Sequence, residues 1–253
     1  MVRRVRLGVL VPSSNTAVEP LTQLIISSIK LEDTAITVHF SRFSVTEISQ
    51  SNAALLQFDL KPILAAAQLL ADAQVDVIGW SGTSAGWLGF DRDVSMCKAI
   101  HDATGIPATS STLALNALLE VFAVKKLGLV TPYLSSINEA IISNYSSIGV
   151  IITCERHLDI TDNAAIGRVS EQQLNEMVDS VVAGDVTAIT TFCTNLQAAP
   201  LVPIWERKYK AVVFDTIATV IWEMLNIVSI DPRNVTGWGK MFSRSRSSEA
   251  LIA

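Results

Sequence analysis

The chain carries two similar stretches, and a cysteine in one is matched by a glycine in the other. The first stretch begins at Leu7-Gly-Val-Leu-Val-Pro12 and the second at Leu127-Gly-Leu-Val-Thr-Pro132. Further along, each has another apolar run that ends in small polar residues, Gly82-Thr83-Ser84 in the first and Cys193-Thr194-Asn195 in the second. Two similar halves predict two similar lobes that face each other across a cleft. One thiol then stands where the pseudo-symmetry would allow two.

The composition excludes several classes of protein. Of the 253 residues, 49% are apolar and 17% are charged, which allows either one large domain or two of about 120 residues. The net charge of -5 provides no basic patch for nucleic acid, and no apolar run reaches the roughly 18 residues of a membrane span. The basic start is followed by an apolar run that stops at Pro12, which is typical of a first strand rather than a secretory signal. We therefore expect a cytoplasmic protein, monomeric or homodimeric, with no nucleic-acid or membrane partner.

Short β-branched runs alternate with helical patterns along the chain. The candidate strands are residues 5–11, 34–40, 75–80, 127–131, 150–154, 188–192 and 211–214. The candidate helices are residues 53–73, 91–104, 112–122, 136–148, 170–183 and 217–227, and Ser170-Glu-Gln-Gln173 resembles a capped helix start. This alternation favours an α/β fold with mostly parallel sheets, in which ligands bind beyond the carboxyl ends of the strands.

We divide the chain into two lobes on this pattern. The first lobe comprises residues 1–112 together with 214–253, so that the final helix returns to it, and the second comprises residues 113–213. The polar tail from Phe242 to Glu249 is expected to be loosely ordered.

Cys193 is the first candidate for chemistry, because it follows a strand of the buried type and precedes Thr194-Asn195. A thiol there could face the cleft near backbone N–H groups and act as a proton donor, a base or a nucleophile. The plainer alternative is a small buried hydrophobe, the commonest state of a free cysteine. The position of Cys193 in the repeat favours function, whereas Cys97 and Cys154 lack that context and are interpreted as structural.

The other strand ends carry groups that suit a carboxylate. Gly82, Thr83 and Ser84 offer backbone donors and two hydroxyls, although an ordinary turn with a helix cap would look the same. Asn15, three residues after Pro12, could grip a carboxylate or merely cap the next helix. Tyr133 could join an anion site or only pack.

The remaining candidates carry less weight. Trp80, Trp87 and Phe90 flank the glycine turn and could line a pocket, form a lid or simply pack in the core. The three histidines show no helpful context, and Ser81 is expected to point to the other face of its strand. Neither a GxGxxG motif nor a P-loop follows the first strand, so no nucleotide site is expected. The cysteines lack metal-ligand spacing.

Together these residues resemble the aspartate/glutamate racemase superfamily, and within it the maleate isomerase and arylmalonate decarboxylase branch. The resemblance covers Leu7 to about Leu225 and rests on these motifs: Val11-Pro-Ser-Ser-Asn-Thr16, Gly82-Thr-Ser84, Thr131-Pro-Tyr133 with Asn138-Glu139, Asp162-Asn163, and Cys193. It implies two flavodoxin-like lobes with the active site between them, and catalysis without a cofactor or metal.

The position of Gly82 separates the activities that this resemblance implies. Racemases and maleate isomerases of the superfamily typically use two cysteines on opposite walls, and the first would fall at Gly82. Arylmalonate decarboxylases also have Gly-Thr-Ser there and keep only the second cysteine. By that resemblance, Thr83, Ser84 and Tyr133 would form a dioxyanion hole for an enediolate, and Cys193 would protonate it.

Asn15 and Asn163, in contrast, match positions at which maleate isomerases hold substrate carboxylates. The leading hypothesis is therefore a cofactor-independent decarboxylase of a substituted malonate-type dicarboxylic acid, with Cys193, Tyr133, Thr83 and Ser84 catalytic. Substrate binding is assigned to these five residues: Pro12, Asn15, Gly82, Asn163 and Thr194. The alternatives are an isomerase or racemase acting on a small dicarboxylate, such as a maleate isomerase-like enzyme, and a non-catalytic carboxylate-binding protein.

Overall fold

Two four-stranded parallel sheets of the same topology form the protein. In a computed structural model, residues 2–49, 51 and 56–246 are described. The strands are β1 (Arg3–Pro12), β2 (Thr34–Phe43), β3 (Val77–Trp80), β4 (Ala108–Ser110), β5 (Lys126–Val130), β6 (Ile151–Arg156), β7 (Ala188–Thr191) and β8 (Val212–Asp215). Their order is β2-β1-β3-β4 in the first sheet and β6-β5-β7-β8 in the second. The sequence-based prediction of parallel α/β lobes is confirmed.

Ten α-helices within the described residues cover and connect the strands. They are α1 (Val18–Ser27), α2 (Leu60–Asp72), α3 (Ala85–Leu88), α4 (Phe90–Thr104), α5 (Ser111–Val121), α6 (Ser135–Ser147), α7 (Asn163–Ile166), α8 (Glu171–Val182), α9 (Val202–Tyr209) and α10 (Thr216–Ile227). Ser170 and Gln173 form the reciprocal capping box at the start of α8, which confirms the predicted cap. Among these helices, none is long and apolar enough to cross a membrane.

The strand registers define which residues of the two halves are equivalent. Leu7 of β1 lies opposite Val77 of β3, and Leu127 of β5 lies opposite Ala188 of β7. Gly82 and Cys193 follow these partners by the same number of residues, so they occupy equivalent places beyond the ends of β3 and β7. The pairing inferred from the repeat in the sequence therefore holds in the sheets.

Matching glycines let a neighbouring element approach the central strand of each sheet. A Cβ atom on Gly8 would lie 2.8 Å from Cγ2 of Val75, and one on Gly128 would lie 2.3 Å from Cγ1 of Val181 in α8. Both distances are shorter than carbon atoms tolerate, so only glycine permits this packing.

The last helix, α10, is buried along almost its whole length and touches both halves. It packs against α5 and α1, and it contacts β3, β4 and β8. The carboxylate of Asp215 caps it by accepting hydrogen bonds from the backbone N–H groups of Ile217 and Ala218.

Several sequence-based boundaries were wrong. The strand predicted at residues 150–154 runs from Ile151 to Arg156, and the one predicted at 34–40 continues to Phe43. Helix α1 and strand β4 were missed, because Pro20 in the first turn of α1 interrupts its pattern and β4 has only three residues. Within the helix predicted at residues 53–73, the structure places α2, and residues 52–55 lie outside the described part.

The expected loose order of the tail is also wrong for its first half. Phe242 is fully buried, and the guanidinium of Arg244 lies 4.5 Å from the ring centre of Phe122. Arg246 forms an ion pair with the buried Glu223 of α10. Aromatic and charged contacts thus fix residues that look solvent-exposed from composition alone, whereas residues 247–249 lie outside the described part.

Replacing Gly128 by alanine is expected to destabilise the protein. The added Cβ would collide with Val181 and force α8 away from β5, at a cost of about 1–3 kcal/mol of unfolding free energy. Urea denaturation followed by circular dichroism measures this loss, and Lys125→Ala, at an exposed position on the same segment, serves as the control. An unchanged midpoint in Gly128→Ala would contradict the packing argument.

Candidate active site

The ends of β1, β3, β5 and β7 converge on one small cavity, where polar loop residues meet an apolar wall. Nearly all of the site residues predicted from the sequence line it, and Asn15 is the exception. The lining residues are Pro12, Val45, Ile48, Phe58, Trp80, Gly82, Thr83, Ser84, Trp87, Tyr133, Asn163, Cys193 and Thr194. The cavity thus draws on both sheets, as ligand sites at the carboxyl ends of parallel strands do.

Cys193 lines this cavity and carries a protonated thiol. Its side chain is 3% exposed, and burial raises its pKa to about 11. The Tyr133 hydroxyl and the backbone N–H groups of Asn195 and Leu196 lower the pKa, but by less than burial raises it. The N–H of Asn195 donates to Sγ over 3.4 Å. At neutral pH the group is therefore a thiol that can give a proton, rather than a standing thiolate.

Tyr133 and Thr83 join the two lobes beside this thiol. Their hydroxyl oxygens lie 2.7 Å apart and share a hydrogen bond, although they belong to opposite halves of the repeat. Burial raises the pKa of Tyr133 well above its ordinary value, and the neighbouring Cys193 raises it further. The phenol is therefore neutral and available as a donor. Asn138 braces the loop by donating from Nδ2 to the carbonyl oxygens of Tyr133 and Leu134.

Ser84 stands at the start of the short helix α3. Its side chain makes no capping hydrogen bond, which argues against the plainer interpretation of this hydroxyl as a cap. With Thr83 it presents two hydroxyls on the wall that faces Tyr133 and Cys193. Three residues with hydroxyl groups, Thr83, Ser84 and Tyr133, thus line the same cavity as Cys193.

The indole of Trp80 occupies the space beside Gly82. A Cβ atom on Gly82 would lie 2.1 Å from Cζ2 and 2.2 Å from Cε2 of Trp80. The indole is almost fully buried and packs against Phe43, with ring centres 4.9 Å apart. The position equivalent to Cys193 therefore lacks a thiol, and it also lacks room for any side chain in this arrangement.

Asn15 performs the helix-capping role that the sequence left open. Its Oδ1 accepts hydrogen bonds from the N–H groups of Ala17 and Val18, each at 2.9 Å. Its Nδ2 donates to the carbonyl oxygen of Thr194 at 3.0 Å. The amide is thus committed to capping and to bridging the lobes, and it lies beside the cavity rather than on its wall.

Asn163 lines the cavity from the second half. Its Nδ2 donates to Oγ of Ser14 over 2.8 Å, and its carbonyl oxygen accepts a hydrogen bond from the side chain of Asn195. The backbone of residues 46–48 holds this segment by hydrogen bonds with Thr161 and Asn163. The side chain is therefore within the cavity but already has a partner.

Sequence reasoning missed the apolar wall and one buried acid. Val45, Ile48 and Phe58 come from the segment after β2, where nothing in the sequence distinguishes cavity residues from ordinary loop residues. Asp215 is fully buried, its charge raises the pKa of Cys193, and its Oδ2 accepts a hydrogen bond from Thr191. Burial raises its own pKa to about 6. The position of Asp215 at the end of β8 is the sequence feature that could have identified it as a residue near the site.

The aromatic cluster around the glycine turn divides between two roles. Trp80 and Trp87 line the cavity, and Trp87 packs edge-on against Tyr133 with ring centres 5.1 Å apart. Phe90 instead packs against Tyr145 in the core. Within the described residues, no cluster of three or more His, Cys, Asp or Glu side chains could hold a metal ion.

Cys193 is expected to react slowly with iodoacetamide in the native protein. Raising the pKa from 9.0 to about 11 lowers the thiolate fraction at pH 8 about 100-fold, and burial hinders access further. Peptide mapping of time-resolved labelling measures the rate, with the partly exposed Cys154 as internal reference and denatured protein as the control for intrinsic reactivity. Labelling of Cys193 faster than Cys154 would indicate a thiolate nucleophile instead.

Comparison with known sequences finds a family model and relatives that match most of this chain. The family model for arylmalonate decarboxylase matches residues 7–242. Maleate isomerase from Pseudomonas putida is 28% identical over 253 residues, covering 96% of this chain and 99% of that protein. Arylmalonate decarboxylase from Bordetella bronchiseptica is 24% identical over 172 residues, covering 67% of this chain and 72% of its own length.

Solved structures agree on the fold. A variant of maleate isomerase from Pseudomonas putida S16, with maleate, superposes with a TM-score of 0.87 at 24% identity, covering 95% of this chain and 98% of that one. A doubly substituted arylmalonate decarboxylase in a liganded form superposes with a TM-score of 0.80 at 19% identity, covering 95% of this chain and all 100% of that one. The match of the family model over nearly the full length shows that this chain belongs to the arylmalonate decarboxylase family.

Proposed function

We propose that the protein is a cofactor-independent decarboxylase of a substituted malonate-type dicarboxylic acid, with Cys193 as the proton donor. The observation that carries this proposal is the asymmetry of the cavity. A protonated thiol lies on one wall, and Trp80 fills the equivalent place beside Gly82 on the other. Chemistry that needs one acid on one face suits this arrangement better than chemistry that needs two opposed thiols.

The proposed reaction begins with loss of one carboxylate. The bond from the α-carbon to that carboxylate breaks, CO2 leaves, and the electron pair spreads into the remaining carboxylate as an enediolate. The apolar wall of Val45, Ile48 and Phe58 favours this step, because a carboxylate charge is lost there. Hydroxyl donors from Thr83, Ser84 and Tyr133 stabilise the charge that develops on the enediolate oxygens.

Protonation then completes the reaction. The thiol of Cys193 transfers its proton to the α-carbon, which is a far stronger base than a thiolate, and the thiolate recovers a proton from water before the next turnover. Because its pKa is about 11, the thiol of Cys193 stays protonated across the neutral pH range. Since Cys193 reaches the α-carbon from one wall, the product is a single enantiomer of the monoacid.

The second candidate is an isomerase acting on a small dicarboxylate such as maleate. It is favoured by the identity with the Pseudomonas putida maleate isomerase and by Asn163 on the cavity wall. A maleate cis-trans isomerase variant from Nocardia farcinica, in which one cysteine is replaced by serine, carries a succinylcysteine intermediate. Such a reaction requires a nucleophilic thiolate, which the raised pKa of Cys193 opposes.

Replacing Cys193 by alanine is expected to slow decarboxylation by about 10²- to 10⁴-fold without unfolding the protein, since a general acid contributes a factor of that size. The assay incubates the protein in D2O with maleate and a panel of substituted malonates, and mass spectrometry follows the products. Wild type should release CO2 and place one deuterium on the α-carbon, and Cys154→Ala should match it.

The same assay separates the alternatives. Normal product formation by Cys193→Ala would exclude the thiol as donor. Formation of fumarate from maleate by wild type would favour the isomerase, and saturable binding with no turnover of any acid would favour a binding protein.

A second thiol at position 82 is expected to need space that Trp80 now occupies. In Gly82→Cys the new side chain collides with Trp80, so we expect a loss of about 1–3 kcal/mol of stability and little activity. Combining it with Trp80→Ala removes the collision, although deleting the buried indole itself costs about 3–5 kcal/mol of stability. The double variant should racemise the product of the enzyme, which appears as deuterium exchange at the α-carbon of the purified enantiomer. Trp80→Ala alone is the control, because it opens the same space without a thiol. Exchange by Gly82→Cys alone, at full stability, would contradict the steric argument.

A further inference from the structure

Asp215 has a structural role that does not require its charge. It is the last residue of β8 and lies opposite Thr191 of β7, which comes two residues before Cys193. Its Oδ1 accepts hydrogen bonds from the N–H groups of Ile217 and Ala218 at the start of α10. A neutral serine or asparagine caps a helix about as well as aspartate does. The fold therefore requires an acceptor at this position, and a hydroxyl or an amide would provide one.

The first half of the repeat performs the same task with a neutral residue. Ser110 ends β4 and caps α5 by accepting a hydrogen bond from the N–H of Leu113. Ser110 lies opposite Trp80 in the first sheet, and Asp215 lies opposite Thr191 in the second. These two pairs are equivalent in the repeat. A carboxylate thus replaces a hydroxyl only in the half that carries the thiol.

Within the described part of the chain, the carboxylate of Asp215 is buried with no cationic partner. Its second oxygen, Oδ2, accepts a hydrogen bond from Oγ1 of Thr191 over 2.9 Å. Burial raises its pKa to about 6, against the lowering effect of Thr191 and of two N–H groups in α10, all of which are neutral donors. At pH 7 to 8 the group is therefore mostly ionised. Burying a charge in this way costs stability, and such groups concentrate at functional sites.

The other acids on the helices that pack against β8 have partners of their own. Glu206 of α9 accepts hydrogen bonds from the backbone N–H groups of Val213 and Lys240. Glu223 of α10 forms an ion pair with Arg246. The side chain of Lys240 is on an exposed residue, and its charge lowers the pKa of Glu206. These charges are therefore balanced by their own neighbours.

The first half also contains a buried acid, but it acts on other groups. Asp93 of α4 is 2% exposed, and its Oδ2 has no hydrogen-bond partner among the residues that the structure describes. Its charge raises the pKa values of Cys97 and Tyr145, in each case after the larger effect of burial. The pKa of Cys193 is raised by burial first and then by the charge of Asp215.

A negative charge beside Cys193 affects the two possible uses of its thiol in opposite ways. It disfavours the thiolate, which is the form that attacks a double bond. It leaves the proton available to the strongly basic α-carbon, and it makes the thiolate that remains after the transfer a stronger base, which recovers a proton from water more readily. A carboxylate in this place therefore suits a proton donor and opposes a nucleophile.

We propose that Asp215 is a positioning residue that determines which reaction Cys193 performs. Its buried charge keeps the thiol a proton donor, and the hydrogen bond that it accepts from Thr191 holds the strand end from which Cys193 follows. The hydroxyl of Thr216 strengthens this link by donating to the carbonyl oxygen of Thr191. The consequence for catalysis rests on the proposed decarboxylase function, whereas the effect on the thiol is measurable without turnover.

Removing the charge while keeping the cap tests this assignment. Asp215→Asn and Asp215→Ser both retain an acceptor for α10, so both are expected to fold with the circular dichroism of wild type. The thiolate of Cys193 should form more readily in them, and its labelling by iodoacetamide at pH 8 should become about tenfold faster, the usual order of effect for a nearby charge. Glu223→Gln removes another buried carboxylate from α10 and should leave the labelling rate unchanged.

Peptide mapping separates a change of charge from a loosening of the fold, because it reports each cysteine individually. The buried Cys97 is the internal reference and should label no faster in the variants than in wild type. Unchanged labelling of Cys193 in both neutral variants, or a parallel rise at Cys97, would overturn the assignment. Failure of both variants to fold would also overturn it, because a neutral cap would then be insufficient.

The pH dependence of turnover tests the consequence for catalysis. With a substituted malonate that wild type decarboxylates, kcat/KM should fall at high pH as Cys193 loses its proton, and in both neutral variants this fall should begin about one pH unit lower. Near pH 7 the variants should keep the wild-type rate to within about threefold, since the thiol stays protonated in all of them. An equal loss of rate at every pH would mean that Asp215 acts through the fold alone, which would overturn the role of its charge.

These measurements also separate the inference from the proposed function. Labelling needs no substrate, so faster reaction of Cys193 in the neutral variants would support the role of Asp215 even if wild type decarboxylates no malonate. Conversion of maleate to fumarate by the neutral variants but not by wild type would support it further, since that reaction requires a thiolate. Decarboxylation by wild type, with labelling and pH profile unchanged in both variants, would overturn the inference and leave the proposed function standing.

Discussion

The geometry of the site depends on a line of hydrogen bonds that ties the loops of the two sheets together. Asn15 of the first half donates to the carbonyl oxygen of Thr194 in the second, and the Thr194 hydroxyl donates to the carbonyl oxygen of Ser81 in the first. The backbone N–H of Thr16 in turn donates to the side chain of Asn195. Because Asn15, Ser81, Thr194 and Asn195 are all buried, leaving their polar groups unpaired would be costly. The loops that carry Gly82 and Cys193 are thereby held face to face.

The hydrogen bonds hold the two loops at a fixed distance, and this explains how two similar sheets form an asymmetric site. The two sheets have the same strand order, and β1–β3 and β5–β7 pair in corresponding registers, so the backbone offers equivalent places at Gly82 and Cys193. Side chains break the symmetry: sulfur occupies one place, and the indole of Trp80 covers the other. The Thr83–Tyr133 hydrogen bond then places hydroxyl groups from both halves beside a single thiol. A pseudo-symmetric frame thus carries a single thiol on one wall of the cavity.

Burial sets the chemical state of this site more strongly than any individual charge. Cys193 and Tyr133 both lie in surroundings that disfavour their ionised forms, so they remain neutral donors. Asp215, behind the thiol, adds a nearby acidic group that opposes thiolate formation as well. Neutral donors of this kind suit proton donation, and the described residues that line the cavity include hydroxyl groups but no Lys or Arg.

The sequence by itself determined the class of fold and the equivalence of Gly82 with Cys193, because strand-helix alternation and a repeated motif are local patterns that survive in the sheets. It also indicated that Thr83, Ser84, Tyr133 and Cys193 belong together, since parallel strands end at a common edge, whereas Asn163 was added only by the resemblance to maleate isomerases. Only the tertiary structure decided between the two roles weighed for Asn15, whose amide caps α1 and bridges the lobes. It also revealed Trp80 in the space beside Gly82, the apolar wall and the unpaired acceptor of Asp93. These features arise from contacts between residues distant in the chain, and packing at that range leaves no periodic trace in the sequence.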